Sequence, residues 1–199
     1  MELGNDKLKA TAEKFGFNQN FRGSGISIEK SRFPEYDDAY EGLIAQSGIG
    51  QAGLLATPME MAMVAAAVAN EGDIMKPTII KEIKTSSGKT VRGLNTEVLY
   101  EAISPENAAI IKDYMIGVVQ DRIGTSWSNV FNGVNAAGKT GTADYQVDGK
   151  DQVPHSWFIG FAPADDPQVA IAVIVENGGT GSTLAAQVSG KVLKAALGQ

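Results

Sequence analysis

Two apolar runs late in the chain, SWFIGFAP (156–163) and QVAIAVIVE (168–176), are joined by nothing more than Ala164-Asp165-Asp166-Pro167. Parallel strands need a crossover of about a dozen residues or more, so this pair has to be antiparallel. That one constraint decides how the preceding stretch is read. GVNAAGKTGTADYQ (133–146) fits the phosphate-binding spelling G-x-x-x-x-G-K-[ST] from Gly133 to Thr140. A phosphate loop, however, lies between a buried parallel strand and a helix whose N-terminus faces the phosphates. Before Gly133 stands SWSNVFN, short and half polar, and after Thr140 comes GTADYQVDGKD, rich in β-branched and turn residues with no helical period. The reading that fits is three antiparallel strands beginning at Lys139, followed by a helix from Leu184 to Leu197. The phosphate-loop enzyme at Gly133–Thr140 is the lesser alternative.

The rest of the chain supplies helices and turns but no second domain. Residues 5–15 carry Leu8, Ala12 and Phe15 at helical spacing, with Asn5 as cap. Residues 18–42 read as a long loop. At 57–70 the start signals are dense: Thr57 as cap, Pro58 in the first turn and Glu60 three residues after the cap. This helix is apolar nearly all round and should be buried, ending at Asn70 and Gly72. Residues 78–92 alternate and pivot on Ser87-Gly88, a hairpin. Ser104-Pro105-Glu106 opens a helix to about Gln120 with Ile110, Ile111, Tyr114, Met115 and Val118 inward. The fold class is therefore α+β, an antiparallel sheet packed with helices, in one unit spanning 1–199.

Composition narrows the chemistry. The net charge is −6 with 17 Lys and Arg scattered along 199 residues, which argues against a nucleic-acid partner. No cysteine and a single histidine leave Lys, Ser, Thr and carboxylates to act. His155 reads as structural, Trp157, Phe158 and Phe161 as packing residues, and Asp165-Asp166 as a solvated turn. Glu35, Asp37 and Asp38 are a loop cluster for which calcium is the minor reading. No metal and no cofactor is expected.

Four ordered segments then carry a resemblance. AAGKTGTAD with HSWFIGFAPADDPQVAIAVIVENGG resembles the C-terminal strands of penicillin-binding protein transpeptidase domains, K-T-G box included. SGIGQAGLLATPMEMAMVAAAVANEG (47–72) is similar to a segment of the monofunctional, class B-like members, with Ala52 where that family commonly has glycine. ISPENAAIIKDYMIGVVQ and then Gly124-Thr125 resembles the helix leading to the K-T-G strand. ELGNDKLKATAEKFGF resembles the segment just after the family's S-x-N box. The resemblance implies that Lys139 is catalytic, organising protons and positive charge. It also implies that Thr140, Gly141 and Thr142 bind the terminal carboxylate of a D-Ala-D-Ala stem peptide or of a β-lactam, with the Thr142 N–H an oxyanion donor.

On a strand, Lys139 and Gly141 point one way and Thr140 and Thr142 the other, so two hydroxyls at i and i+2 can reach one carboxylate. Peptide docking would be strand addition along this edge. The nucleophile is not found. Ser27-Ile28-Glu29-Lys30 and Ser86-Ser87-Gly88-Lys89 spell S-x-x-K, yet neither lies on an apolar helix, and no S-x-N occurs. The expectation is a C-terminal portion of a transpeptidase domain whose serine boxes precede Met1, inactive alone, either cut there or a rare natural truncation. Its parent would be held outside the cytoplasmic membrane by an N-terminal anchor. The uncovered sheet edge invites self-association. A non-catalytic binding or interaction fragment is the other reading.

Overall fold

A computed structural model describes residues 3–23, 25–37, 40–120 and 129–198. In chain order its elements are α1 (Gly4–Lys14), the two-residue strands β1 (Arg22–Gly23) and β2 (Ile26–Ser27), α2 (Glu41–Ser47) and α3 (Pro58–Ala69). Four short strands come next: β3 (Asp73–Met75), β4 (Glu82–Lys84), β5 (Thr90–Gly93) and β6 (Val98–Glu101). After them stand α4 (Pro105–Gln120), a 3-10 turn at Asn129–Phe131, β7 (Ala137–Ala143), β8 (Gln146–Val147) and β9 (Lys150–Asp151). The chain ends with β10 (His155–Ala162), β11 (Val169–Val175) and α5 (Leu184–Ala196).

The central sheet has the order β11-β10-β7 and is antiparallel throughout. Strand alternation divides its residues cleanly. Phe158, Ala162, Val169, Ile171, Val173 and Val175 face α5, where they pack with Ala185, Ala186 and Leu193. Ala137, Phe161 and Ala170 face the other way, against Val68 of α3 and Met115 of α4. Both faces of β10 and β11 are thus covered, which is why their sequences read as continuous apolar runs. Ser156 is fully buried, and its hydroxyl donates to Thr180 O (2.8 Å) while accepting from the Ala185 N–H (3.1 Å). It caps α5 from a neighbouring strand, because Thr183 at the cap position makes no side-chain cap bond.

Several expectations meet corrections. Asn5 does not cap α1, which starts one residue earlier. It is buried instead, and its Nδ2 donates to Tyr36 O at 3.0 Å, so a tertiary partner outcompetes the helix end. The inward face of α4 is Ala108, Met115 and Val119, with Ile111 half-buried, whereas Ile110 is 50% and Tyr114 72% exposed. Met115, with Ile111 and Ile116 beside it, packs α4 against Ala137 of β7 and Phe161 of β10, and the 110/114 stripe is left to solvent. The segment 18–42 is not wholly loop, since it contains β1, β2 and the start of α2. Between β7 and β10 a further hairpin intervenes, β8–β9, turning on Asp148 (φ 52°) and Gly149 (φ 72°). An Asp-Gly pair of this kind is a strong two-residue hairpin signal.

Two local expectations hold, the α3 start and the 78–92 hairpin. Thr57 caps α3, accepting from the Glu60 N–H at 3.2 Å, with Pro58 in the first turn. The 78–92 hairpin forms as β4–β5, with Gly88 in the turn at φ 84°. It rises from the β3–β6 ladder, tied at its base by Lys76 Nζ to Glu97 Oε2 at 2.8 Å. Gly124, Thr125 and Asp38 lie outside the described residues. Glu35 is held by Lys9 at 3.5 Å, and no metal-binding group occurs among the described residues. No helix among them is long and apolar enough to cross a membrane.

Candidate active site on the sheet edge

β7 is the edge strand of the central sheet among the described residues, and the phosphate-loop reading ends there. Lys139 and Thr140 sit in the middle of a seven-residue strand rather than at a helix N-terminus. Register pairs Lys139 with Ile159, Thr140 with Phe158, Gly141 with Trp157 and Thr142 with Ser156. Lys139 and Gly141 therefore share a face with Trp157 and Ile159, while Thr140 and Thr142 share the α5 face. Thr140 is 9% exposed and Thr142 is open to solvent.

Two contacts define the direction of the backbone. Lys139 Nζ donates to Thr140 O at 2.7 Å, and Gln51 Nε2 donates to Thr142 O at 3.1 Å. Neither partner belongs to β10, so both carbonyls point off the open edge. In an antiparallel ladder a residue's N–H and C=O point to the same side. The Thr142 N–H consequently faces outward as well. The Gly181 N–H donates to Thr142 Oγ1 at 3.2 Å, which occupies an acceptor lone pair and leaves the hydroxyl proton to be given to something else. What this edge offers is donors and a lysine ammonium, with both outward carbonyls already engaged. That arrangement suits an anion.

The loop after β11 makes this contact only because position 181 is glycine. A Cβ there would come within 2.3 Å of Gly141 O and 2.7 Å of Trp157 O. The same loop is held by His155, whose Nδ1 accepts from the Asn177 N–H at 3.1 Å, and by Tyr145, whose hydroxyl donates to Asn177 Oδ1 at 2.6 Å. The Tyr145 and His155 rings stack at 4.4 Å. His155 is thus structural, as its sequence setting suggests.

Beside the edge lies a cavity of about 400 Å³, lined by Ile49, Leu54, Leu55, Met61, Trp157, Ile159, Ile174 and the 139–143 strand. A second apolar hollow of about 340 Å³, under Val64, Val68, Ile111 and Met115, shares Lys139 and Ile159 with it. Together they form one trough along the α3 and α4 side of β7. Phe158 and Phe161 are fully buried packing residues, whereas Trp157 lines the trough beside Gly141. Sequence reasoning missed Gln51, Gly181 and Trp157 as members of the site. The glycine-flanked Gln51 in GIGQAG was the signal available for one of them. Ser27 is exposed on β2 and Ser86 lies in the β4–β5 turn, so neither S-x-x-K spelling stands on a helix.

Residues 1–196 match the penicillin-binding protein transpeptidase domain, and the chain belongs to that family. It is 37% identical over 202 residues to the peptidoglycan D,D-transpeptidase PbpA of Mycolicibacterium smegmatis, covering 99% of this chain and 40% of that protein. The penicillin G acyl-enzyme complex of penicillin-binding protein A from M. tuberculosis superimposes with a TM-score of 0.86 at 33% identity, covering 98% of this chain and 44% of that one. The D,D-transpeptidase domain of a peptidoglycan glycosyltransferase from Eggerthella lenta gives 0.86 at 33% identity, covering 99% and 48%. The chain spans about 40% of the length of the curated relatives it matches.

Proposed function

We propose that this chain is part of a peptidoglycan D,D-transpeptidase that cross-links stem peptides through a serine acyl-enzyme. It would supply the strand that holds the substrate's terminal carboxylate, while the nucleophilic serine comes from sequence outside these 199 residues. The observation that carries this reading is the donor-only edge at 139–142. Thr142, with its hydroxyl lone pair taken by Gly181, has a proton to give to a carboxylate, and Thr140 lies on the same face. The Thr142 N–H, turned outward, can receive the oxyanion that forms when a serine attacks the penultimate peptide carbonyl. One such donor is typically worth about 3 kcal/mol in the transition state. Lys139 places its positive charge beside both and can take part in moving the serine proton.

The apolar trough beside Lys139 supports the same reading. A further helix packed there would bring its own N-terminal serine to the edge. By itself the chain would then be a non-catalytic fragment with residual carboxylate recognition. The parent would act outside the cytoplasmic membrane on an N-terminal anchor.

The test is a titration of the ¹⁵N-labelled chain with diacetyl-L-Lys-D-Ala-D-Ala and, separately, with its C-terminal amide. The reading predicts amide shifts at Thr140, Gly141 and Thr142 with the acid and much weaker ones with the amide. Equal responses to the two peptides, or shifts confined to other elements, would contradict it.

A further inference from the structure

We propose that Gln51 is a positioning residue that fixes the geometry of Thr142, an inference that rests on the transpeptidase reading above. Gln51 lies 91 residues away in sequence, in the connection between α2 and α3. That connection is bent so as to present one side chain. Gly50, Ala52 and Gly53 all have left-handed backbones, at φ 81°, 61° and 77°. The Tyr36 hydroxyl donates to Ala52 O, and the Gln51 N–H donates to Gln46 O at 3.0 Å. Between these two anchors the carboxamide crosses to β7. Its Nε2 meets Thr142 O at 3.1 Å and reaches Asp144 Oδ2 at 3.5 Å, the outer limit of a hydrogen bond.

For an anionic ligand this has two consequences. Holding the Thr142 carbonyl fixes the plane of the 142–143 peptide, and through the extended φ and ψ of Thr142 it restrains the outward N–H of the preceding one. Covering that carbonyl also removes a negative dipole end from the surface the anion approaches. Lys139 does the same for the Thr140 carbonyl, so the two side chains together leave the edge without a bare acceptor at either threonine. The bond to Asp144 further restrains the carboxylate nearest the site.

The informative variants are Gln51→Ala, which removes the donor, and Gln51→Glu, which has a donor only when protonated. At neutral pH the latter would set a negative charge against the Thr142 carbonyl and Asp144. Among the described residues, the other charged or titratable groups here are Lys139 on β7, His155 on β10 and Tyr36 on the Ala52 carbonyl, present in every variant. The alanine variant thus serves as the reference for their own titration.

In the 199-residue chain, the Ala143 amide, whose peptide carbonyl Gln51 holds, should shift in Gln51→Ala at both pH 4 and pH 7. In Gln51→Glu it should shift at pH 7 and return toward the parent position at pH 4. In the intact parent carrying the serine, the acylation rate constant for a fluorescent penicillin should fall about tenfold to a hundredfold in Gln51→Ala, the upper end being the scale of a reacting group misplaced by about 1 Å. Gln51→Glu should fall at least as far at pH 7.5 and recover as the pH approaches 5, a limb absent from Gln51→Ala. An unchanged Ala143 amide overturns the proposal, and so does an amide that shifts while acylation stays at the parent rate. If the parent takes no label at all, the transpeptidase reading fails, and the Ala143 amide still judges the contact.

Discussion

Ala52 occupies a backbone conformation, φ 61°, that an L-residue with a Cβ adopts at a cost of about 1–2 kcal/mol. Glycine would suit this position for a physical reason: the turn that aims Gln51 needs a left-handed residue. Ala52→Gly is therefore expected to stabilise the fold by roughly 1 kcal/mol, part of the relieved strain being offset by glycine's extra freedom when unfolded. Thermal or urea unfolding checks it. Glu60 is the second residue under tension. Its sequence position marks it as half of a capping box, but Thr57 N–H donates to Ser31 Oγ at 2.9 Å instead, and the Glu60 carboxylate turns inward. It is fully buried, and neither oxygen has a partner at hydrogen-bonding geometry. Burial pushes its carboxyl above the ordinary value of 4.5, and Ser31 nearby pulls only partly the other way. A folded-state pKa above the unfolded one means stability is fullest below about pH 4.5 and is lost as pH rises through the raised value. Glu60→Met should accordingly gain on the parent by roughly 1 kcal/mol or more at pH 7, with the gap closing at pH 4. Melting curves at the two pH values decide it. At this scale the strand alternation of Lys139 and Thr140 was legible, whereas the GIGQAG setting marked Gln51 without its partner, because a contact between distant segments leaves no periodicity.

Elements were legible where a local signal and tertiary packing agreed. α3 has cap, proline and acidic residue in order, and it forms where those signals put it. α4 was legible as a helix but not in its orientation. Periodicity gives a face, and Ile110 and Tyr114 look more core-like than Ala108, yet the buried stripe is Ala108, Met115 and Val119. The same logic governs the sheet. Gly138 and Gly160 are paired across β7 and β10, and the Phe158 ring lies against both. A Cβ on Gly138 would meet Phe158 Cζ at 2.2 Å. Gly138→Ala should cost about 2 kcal/mol, the usual scale for overpacking a full core. It should also loosen the strand that carries Lys139. Denaturant unfolding gives the first, and hydrogen exchange at Lys139–Thr142 gives the second.

For the molecule as a whole, the chain order of four segments was enough to read fold and family, since the short Ala164–Pro167 connection excludes a parallel sheet. The trough was not readable, because it is assembled from α3, α4, β7, β10 and the loop around Leu54, elements far apart in sequence. It matters because it joins the 139–142 edge to an apolar surface on the α3 and α4 side of the sheet. The proposed division of labour is that these residues would bind and polarise while a serine from elsewhere would attack. Intact-mass measurement after long incubation of the 199-residue chain with excess penicillin G tests that most directly. The account predicts an unchanged mass for this chain and one penicillin equivalent on a longer polypeptide that includes the serine boxes. A one-to-one adduct on the chain itself, above all at Ser27, would contradict it.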